Sequence, residues 1–562
     1  MNQNETNHPI FHDTNQAQSG EKVKFLYAPQ GHNLIRLTGL YGLISFVFAF
    51  IGYLFFTTQS LWSLVFLPLI LVISYSTFFN LTLTVLYPKF DVKDHKNFIN
   101  SYWDYTSEPS VDVLLPVCGE NIDILRNTWE GVSKLDYKNY KVYVCDDKGD
   151  QEVKKLALSF NFNYLSRPNK GQWKKAGNIQ YAQDNSTGKY MLILDADFKP
   201  YPWAITECIP YLEADLKISI VQTPQYFNNS KEKYQGSPIE FGAGYVVEDF
   251  YRILLPARNL FKIPICVGTS AFYRRSAIVN SGGTPKLAGS EDVAQGLATM
   301  KHGYYVKYLP IVCTIGDNPE NMDQHFRQHQ RWSKGSIAMP FTKFFAQAKM
   351  SLLARLYFIT SAMYYLGEIL KPVFGLHLLI LILAAPTAIN LQNSAWFVPF
   401  TIYLMFIQPV GRISRPHKAG MLITGLNQIF TYTVSVYQTI FKIKTSWVST
   451  GLKTKSVDRG LVTCIWLGFI NFLLVLLGLF IKGVIDPKFL INSNFAIINW
   501  TLLQSLINYF IYSLYGYIFI QKINGKIKES SVLHTNYIYY FLLEFFSFCN
   551  IALLIFNVLQ IF

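Results

Sequence analysis

Apolar residues are placed unevenly along this chain, and that unevenness points to a membrane-associated architecture. The runs Leu34–Phe56 and Leu61–Tyr87 carry one charge between them, Arg36. Each is long enough to cross a hydrocarbon core about 30 Å thick. Thr57–Ser60 separate them and are expected to form a tight hairpin. From Lys89 to Lys349 charges return and short apolar segments alternate with turn residues. The chain then becomes apolar again, with candidate spans at Ile359–Ala388, Ala395–Val410, Leu461–Ile485, Ile497–Ile520 and Tyr537–Phe562. Seven spans are therefore expected, two before the soluble segment and five after it. Glu368 and Lys371 place the early part of the 359–388 span at the interface or along a cavity. Residues 1–32 hold no apolar run and are expected to be a disordered cytosolic tail, not a signal peptide.

Composition narrows the class. Only 15% of residues are charged and half are hydrophobic, against roughly 25% charged in soluble domains. This excludes a disordered chain and a disulfide-rich secreted module. The net charge of +14 suits a lipid bilayer or an anionic substrate, and no nucleic-acid partner is expected. Seven cysteines without a CxxC pair read as free thiols, which puts the soluble part in the cytosol. Lys and Arg concentrate in 411–459 and near 521–530, while 57–60 and 389–394 have none. By the positive-inside rule the basic side, with the soluble domain, faces the cytoplasm. The protein is then multi-pass in the plasma (inner) membrane, and seven spans put the C-terminus outside.

Within 89–349, VDVLLPV (111–117), YKVYVCDD (140–147), KYMLILDAD (189–197) and LKISIVQTPQ (216–225) read as buried strands. Helical patterns run from Ile122 to Lys134 and from Lys174 to Gln183. Alternating β and α predicts an α/β domain, a mostly parallel sheet with helices on both faces. Ligands then sit beyond the carboxyl ends of the strands.

The candidate chemistry lies at those ends. Asp195 and Asp197 suit a hard divalent cation shared with a diphosphate, or are plain acidic turn residues. Asp146 and Asp147 can accept hydrogen bonds from a base or ribose, or form an ordinary turn. Glu120 opens a helix, where a carboxylate is favoured without further role. Lys175, opening the Lys-Ala-Gly-Asn segment, can hold a phosphate or be a solvated helix start. Ser290-Glu291-Asp292 is an ordinary helix start, unless the carboxylate faces a cleft as a general base. Gln328, Arg331 and Trp332 lie on one helix shortly before an apolar run, as an interfacial anchor or as a phosphate ligand with a sugar-stacking ring.

Taken in order, Glu120, DDKG (146–149), KAGN (175–178), DAD (195–197), VQTPQYF (221–227), Gly268-Thr269-Ser270, SED (290–292) and QHQRW (328–332) resemble the processive family 2 glycosyltransferases. Bacterial cellulose synthase catalytic subunits are the most similar branch. The likeness covers roughly residues 105–345, and the spans agree in arrangement. It implies a GT-A fold inserted between transmembrane helices, a UDP-sugar donor (usually UDP-glucose), a growing polysaccharide acceptor, and Mg²⁺ or Mn²⁺. It implies nucleotide binding by Glu120, Asp146, Asp147, Lys175, Asp195, Gln328 and Arg331, and metal binding by Asp195 and Asp197. Asp292 would be the catalytic base. Gly268, Thr269, Glu291 and Trp332 would lie against the acceptor, and accessory export subunits are implied as partners. The Gly-Thr-Ser stretch matches the family's Cys-Gly-Ser only in part, and Ser290 stands where the family has Thr. The family's gating loop falls within 441–455, inside a region 350–458 of interfacial helices and two spans, with three spans in 459–562. Relatives regulated by cyclic-di-GMP carry a PilZ domain after the last span. This sequence shows none, so regulation of this chain by that nucleotide is not expected. Two other readings remain: a non-processive family 2 enzyme that glycosylates a lipid phosphate, and a transporter with a cytosolic sensing domain.

Overall fold

The computed structural model describes residues 16–28, 31–59, 64, 67–103, 107–227, 237–369, 395–408, 418–443, 456–487 and 496–525. The strands are β1 (Val111–Val117), β2 (Tyr140–Asp146), β3 (Asn163–Leu165), β4 (Tyr190–Ile193), β5 (Phe198–Pro200), β6 (Ile218–Gln222), β7 (Tyr226–Phe227), β8 (Ala271–Arg274), β9 (Tyr305–Tyr308) and β10 (Thr314–Gly316). Seven of them form one sheet in the order β3-β2-β1-β4-β8-β6-β9. It is parallel except for β8, which runs antiparallel to β4 and β6. A small second sheet, β5-β10-β7, lies beside it.

Both faces of the main sheet are covered, because alternate side chains of each strand point to opposite sides. Val111, Val113, Leu115, Val144 and Leu192 join one core with Trp129, while Leu114, Cys145, Met191 and Ile193 join another with Ile179 and Leu255. A strand buried on both faces reads as a continuous apolar run, which is why these strands were legible. The helices Ile122–Val132 and Lys174–Asp184 also follow the sequence pattern.

Other expectations need correcting. Residues 16–28 are not a disordered tail: Gln16–Lys24 is a helix that packs on the α/β domain. Lys24 forms an ion pair with Glu207 at 2.6 Å, its carbonyl accepts from the Val312 amide, and Tyr27 is buried against the Tyr226 ring. Beside the ion pairs, Val23, Leu26 and Tyr27 pack against one core of the sheet and Phe25 against the other. Thr57 and Thr58 make no hairpin but continue the helix His32–Gln59, their hydroxyls bonded to the Leu54 and Phe55 carbonyls. The run expected from Leu61 appears as the helix Leu67–Val85, and the run expected from Ile359 starts earlier, in the helix Leu352–Gly367.

Inside the basic segment 411–459 lies a 23-residue helix, Lys418–Ile440. It buries Thr424, Asn427, Thr431 and Ser435 and packs on the helices Pro238–Asp249 and Met322–Ala338. Asn427 and Tyr432 share hydrogen bonds with His325 and His329 at 2.9 and 2.8 Å. Its buried side mixes these polar groups with Ile423, Leu426, Phe430 and Val434. Among the described residues, two helices are long and apolar enough to cross a membrane, within His32–Phe55 and Arg459–Ile485. The 537–562 span, most of 359–388 and most of the 441–455 gate segment lie outside the described residues. The described cysteines are all free thiols.

Candidate active site

The carboxyl ends of β1, β2 and β4 open on one side of the sheet, and the expected acids stand there. After β4 the chain turns through Asp195-Ala196-Asp197, held by the Thr128 hydroxyl donating to the Ala196 carbonyl at 2.7 Å. The Asp195 amide donates to the Thr269 hydroxyl at 2.9 Å. Lys175, in the first turn of its helix, reaches across to pair with the Asp195 carboxylate and donates to the Gly268 carbonyl at 2.9 Å. Gly268 has φ +77°, and a Cβ there would lie 2.7 Å from an Asp292 carboxylate oxygen. Only glycine allows both that backbone conformation and so close an approach.

Asp292 lies in the first turn of the helix Glu291–Lys301, whose preceding residue Ser290 is left-handed, at φ +56°. The Ser290 hydroxyl occupies the space that a side chain at Gly335 would need. Ser290, just before the helix bearing the acids, thereby touches the Met322–Ala338 helix, which carries Arg331.

These groups form one electrostatic cluster. Burial, then Glu291, pushes the Asp292 carboxyl up to about 7. Burial, then Asp195, pushes Asp197 up to about 7 as well, with Asp317 and Glu120 adding to it. Burial also raises Glu120 and Glu291. It works against the charge on Lys175, but Asp195 and Glu291 outweigh it and hold the ammonium above the usual lysine range. Arg331 is lowered by burial against the opposing pull of Asp195, Asp197 and Glu291. Carboxylates outnumber cations here, so the site has room for positive charge.

The structure thus brings together Glu120, Lys175, Asp195, Asp197, Gly268, Thr269, Glu291, Asp292 and Arg331. Asp146 is fully buried at the end of β2 and accepts from the Lys148 and Asp150 amides and the Tyr164 hydroxyl, at 2.9, 2.6 and 2.8 Å. Asp147 is engaged by Arg167. Gln328 is buried one turn before Arg331, and Trp332 packs edge-on against His329 with ring centroids 4.8 Å apart.

Sequence reasoning missed three supports. Arg167 is one. Gln222 is another: its amide donates to the Thr269 carbonyl at 2.9 Å and accepts from the Val267 amide at 2.9 Å, pinning the Gly268 loop. The third, Asn178, ties its helix to the Cys145 carbonyl of β2. The QTPQ and KAGN motifs contain two of them, so the signal was present without its role.

The family model described as Glycosyl transferase family 2 matches residues 112–281, from the second residue of β1 to just past β8. Residues 112–281 are thus a family 2 glycosyl transferase domain. Cellulose synthase 1 catalytic subunit [UDP-forming] of Komagataeibacter xylinus is 28% identical over 231 residues, 41% of this chain and 31% of that protein. The cellulose synthase catalytic subunit [UDP-forming] of Xanthomonas axonopodis pv. citri (strain 306) is 27% identical over 269 residues, 48% of this chain and 36% of that protein. The chain thus matches about a third of the length of these relatives. Among solved structures, the mannosyltransferase PcManGT from Pyrobaculum calidifontis in complex with GDP-Man and Mn²⁺ aligns with a TM-score of 0.45 at 15% identity, over 65% of this chain and 99% of that one. The matched residues of the family 2 domain include Lys175, Asp195 and Gly268, while Asp292 and Arg331 lie beyond them.

Proposed function

We propose that this chain is a membrane-embedded, processive, inverting glycosyltransferase that moves glucose from UDP-glucose to the growing end of a β-linked polysaccharide and passes the product across the membrane. One observation carries the reading: Asp292 stands across Gly268 from the Lys175–Asp195 pair. This sets a proton acceptor opposite a cation suited to a diphosphate. Asp146 and Glu120 would hold the nucleoside, while Lys175, Gln328 and Arg331 would hold the diphosphate. Glu291 and Trp332 would lie on the acceptor side.

The step balances simply. The acceptor hydroxyl oxygen bonds to the anomeric carbon as the bond from that carbon to the diphosphate breaks. The hydroxyl proton goes to Asp292, and UDP leaves with its charge facing Lys175 and Arg331. Preorganised charge of this kind often contributes more to a rate enhancement than any other effect. Attack opposite the leaving group turns an α-linked donor into a β-linked product.

The residues also fit a divalent cation. Among the described residues no three His, Cys, Asp or Glu side chains converge on one point. Asp195 and Asp197 would supply two carboxylates and the donor diphosphate the remaining oxygens, the usual arrangement for Mg²⁺ beside phosphates. When bound there, Mg²⁺ or Mn²⁺ would neutralise diphosphate charge. Synthesis is expected to stop in excess EDTA and return on adding either ion; full activity in EDTA would remove both aspartates as ligands.

The membrane part of the proposal keeps seven spans, with the basic segment 411–459 in the cytoplasm. In intact cells a membrane-impermeant maleimide should label Asn492→Cys, while Lys442→Cys should react only after lysis. The opposite pattern would invert the topology. For the reaction itself, membranes would be given a panel of labelled UDP-sugars and the product cut with linkage-specific glycosidases. A polymer made from UDP-glucose supports the reading. Single-sugar transfer to lipid, or no UDP release, would replace it with one of the two other readings.

A further inference from the structure

Asp147 and Arg167 are deeply buried beside the site, at 5% and 1% exposure. Arg167 grips Asp147 with both sides of its fork, Nε to Oδ1 at 2.6 Å and Nη2 to Oδ2 at 2.9 Å. Its other donors go to backbone: Nη1 to the Gln172 carbonyl at 2.5 Å and Nη2 to the Lys174 carbonyl at 3.2 Å. Asp147 also accepts from the Gly171 amide at 3.0 Å. The pair therefore bonds to three of the four residues Gly171–Lys174.

That segment needs holding. Gly171, Trp173 and Lys174 have φ of +75°, +57° and +50°. The left-handed region is disfavoured for any residue with a Cβ, and such residues persist only where surrounding structure over-determines them. Trp173 is 42% exposed, so its packing does not fix the backbone. Lys175 is the next residue. Were the segment to relax, the first turn of the helix would rotate and carry the Lys175 ammonium away from Asp195 and Gly268.

A buried ion pair is weak evidence for stability, and fixing a unique geometry is one attested reason to keep one. We propose that Asp147 and Arg167 are positioning residues: a clamp that sets Lys175 for the donor diphosphate, with neither contacting the donor itself. This rests on the donor-binding reading above and reassigns Asp147 within it. Asp146 is held by separate partners, so the nucleoside end of the site should not depend on the clamp.

This separation gives the test. Purified full-length protein in detergent would be titrated with UDP and with uridine. Arg167→Lys keeps the charge but loses the fork. Gly177→Ala disturbs the clamp from the other side, because a Cβ there would overlap the Gln172 carbonyl and the Arg167 guanidinium. Both variants are expected to lower UDP affinity about tenfold or more, as for a lost charged hydrogen bond, with uridine affinity unchanged. Adding Arg167→Lys to Lys175→Gln should cause no further loss. A folded variant with the wild-type ratio of UDP to uridine affinity would overturn the clamp, as would full additivity with Lys175→Gln. If neither variant folds, the pair is a folding element and the proposal also fails. Wild-type protein that binds no UDP would instead overturn the donor reading itself, which is a separate result.

Discussion

Asp292→Asn should leave UDP bound and bring polymer synthesis close to zero. The change keeps size and most hydrogen bonding but removes the proton acceptor. Losing a general base typically costs about 10²–10⁴ in rate. The position supports the role. Asp292 sits where the Gly268 backbone leaves space for it, and burial and Glu291 hold its carboxyl at about 7, close to the pH at which a base both exists and pulls. Below that value the group keeps its proton and cannot accept another, so wild-type turnover should fall as pH drops through about 7. The competing view makes Asp292 a helix-start charge, contributing roughly 0.3–1 kcal/mol to stability. Under that view Asp292→Asn would show near-normal synthesis and an unchanged pH profile. Initial rates across pH for both proteins, with UDP affinity beside them, separate the two.

How far this site could be read from sequence depended on where its interactions lie. The acids at the ends of β1, β2 and β4 were legible because each follows a run buried on both faces, and a carboxylate directly after such a run stands out. Asp292 and Arg331 were legible through motif order. Arg167 was not. It sits in SRPNKGQ, which reads as an exposed turn, and its partner Asp147 lies 20 residues earlier on another element. No local periodicity reports such a pair. β5, β7 and β10 have two or three residues each, too few to show a period of two. β8 is recognisable only once β4 and β6 flank it. The helices Gln16–Lys24 and Lys418–Ile440 escaped because each mixes apolar core contacts with partner-specific polar ones, which dilutes its hydropathy signal.

Lys175→Gln should slow synthesis by about 10²–10³, the usual cost of removing a preorganised group that faces developing charge. It should also move the pH profile. Two lysines, Lys174 and Lys175, open the helix Lys174–Asp184 with no acid in its first turn. That is the wrong end of the helix dipole for cations. A mere solvated helix start would gain slightly from losing one of them, and turnover would not change. Lys175 instead extends to Asp195 and the Gly268 carbonyl, and its charge favours the ionised form of Asp292. Without that charge Asp292 holds its proton to higher pH, so the rising limb of the rate profile should shift to the alkaline side. The folded state should lose stability over the same range, because it keeps Asp195, Glu291 and Asp292 together with less compensation. A slow variant with an unshifted profile would confine Lys175 to the diphosphate and detach it from the base. A variant with both rate and profile unchanged would remove Lys175 from the site.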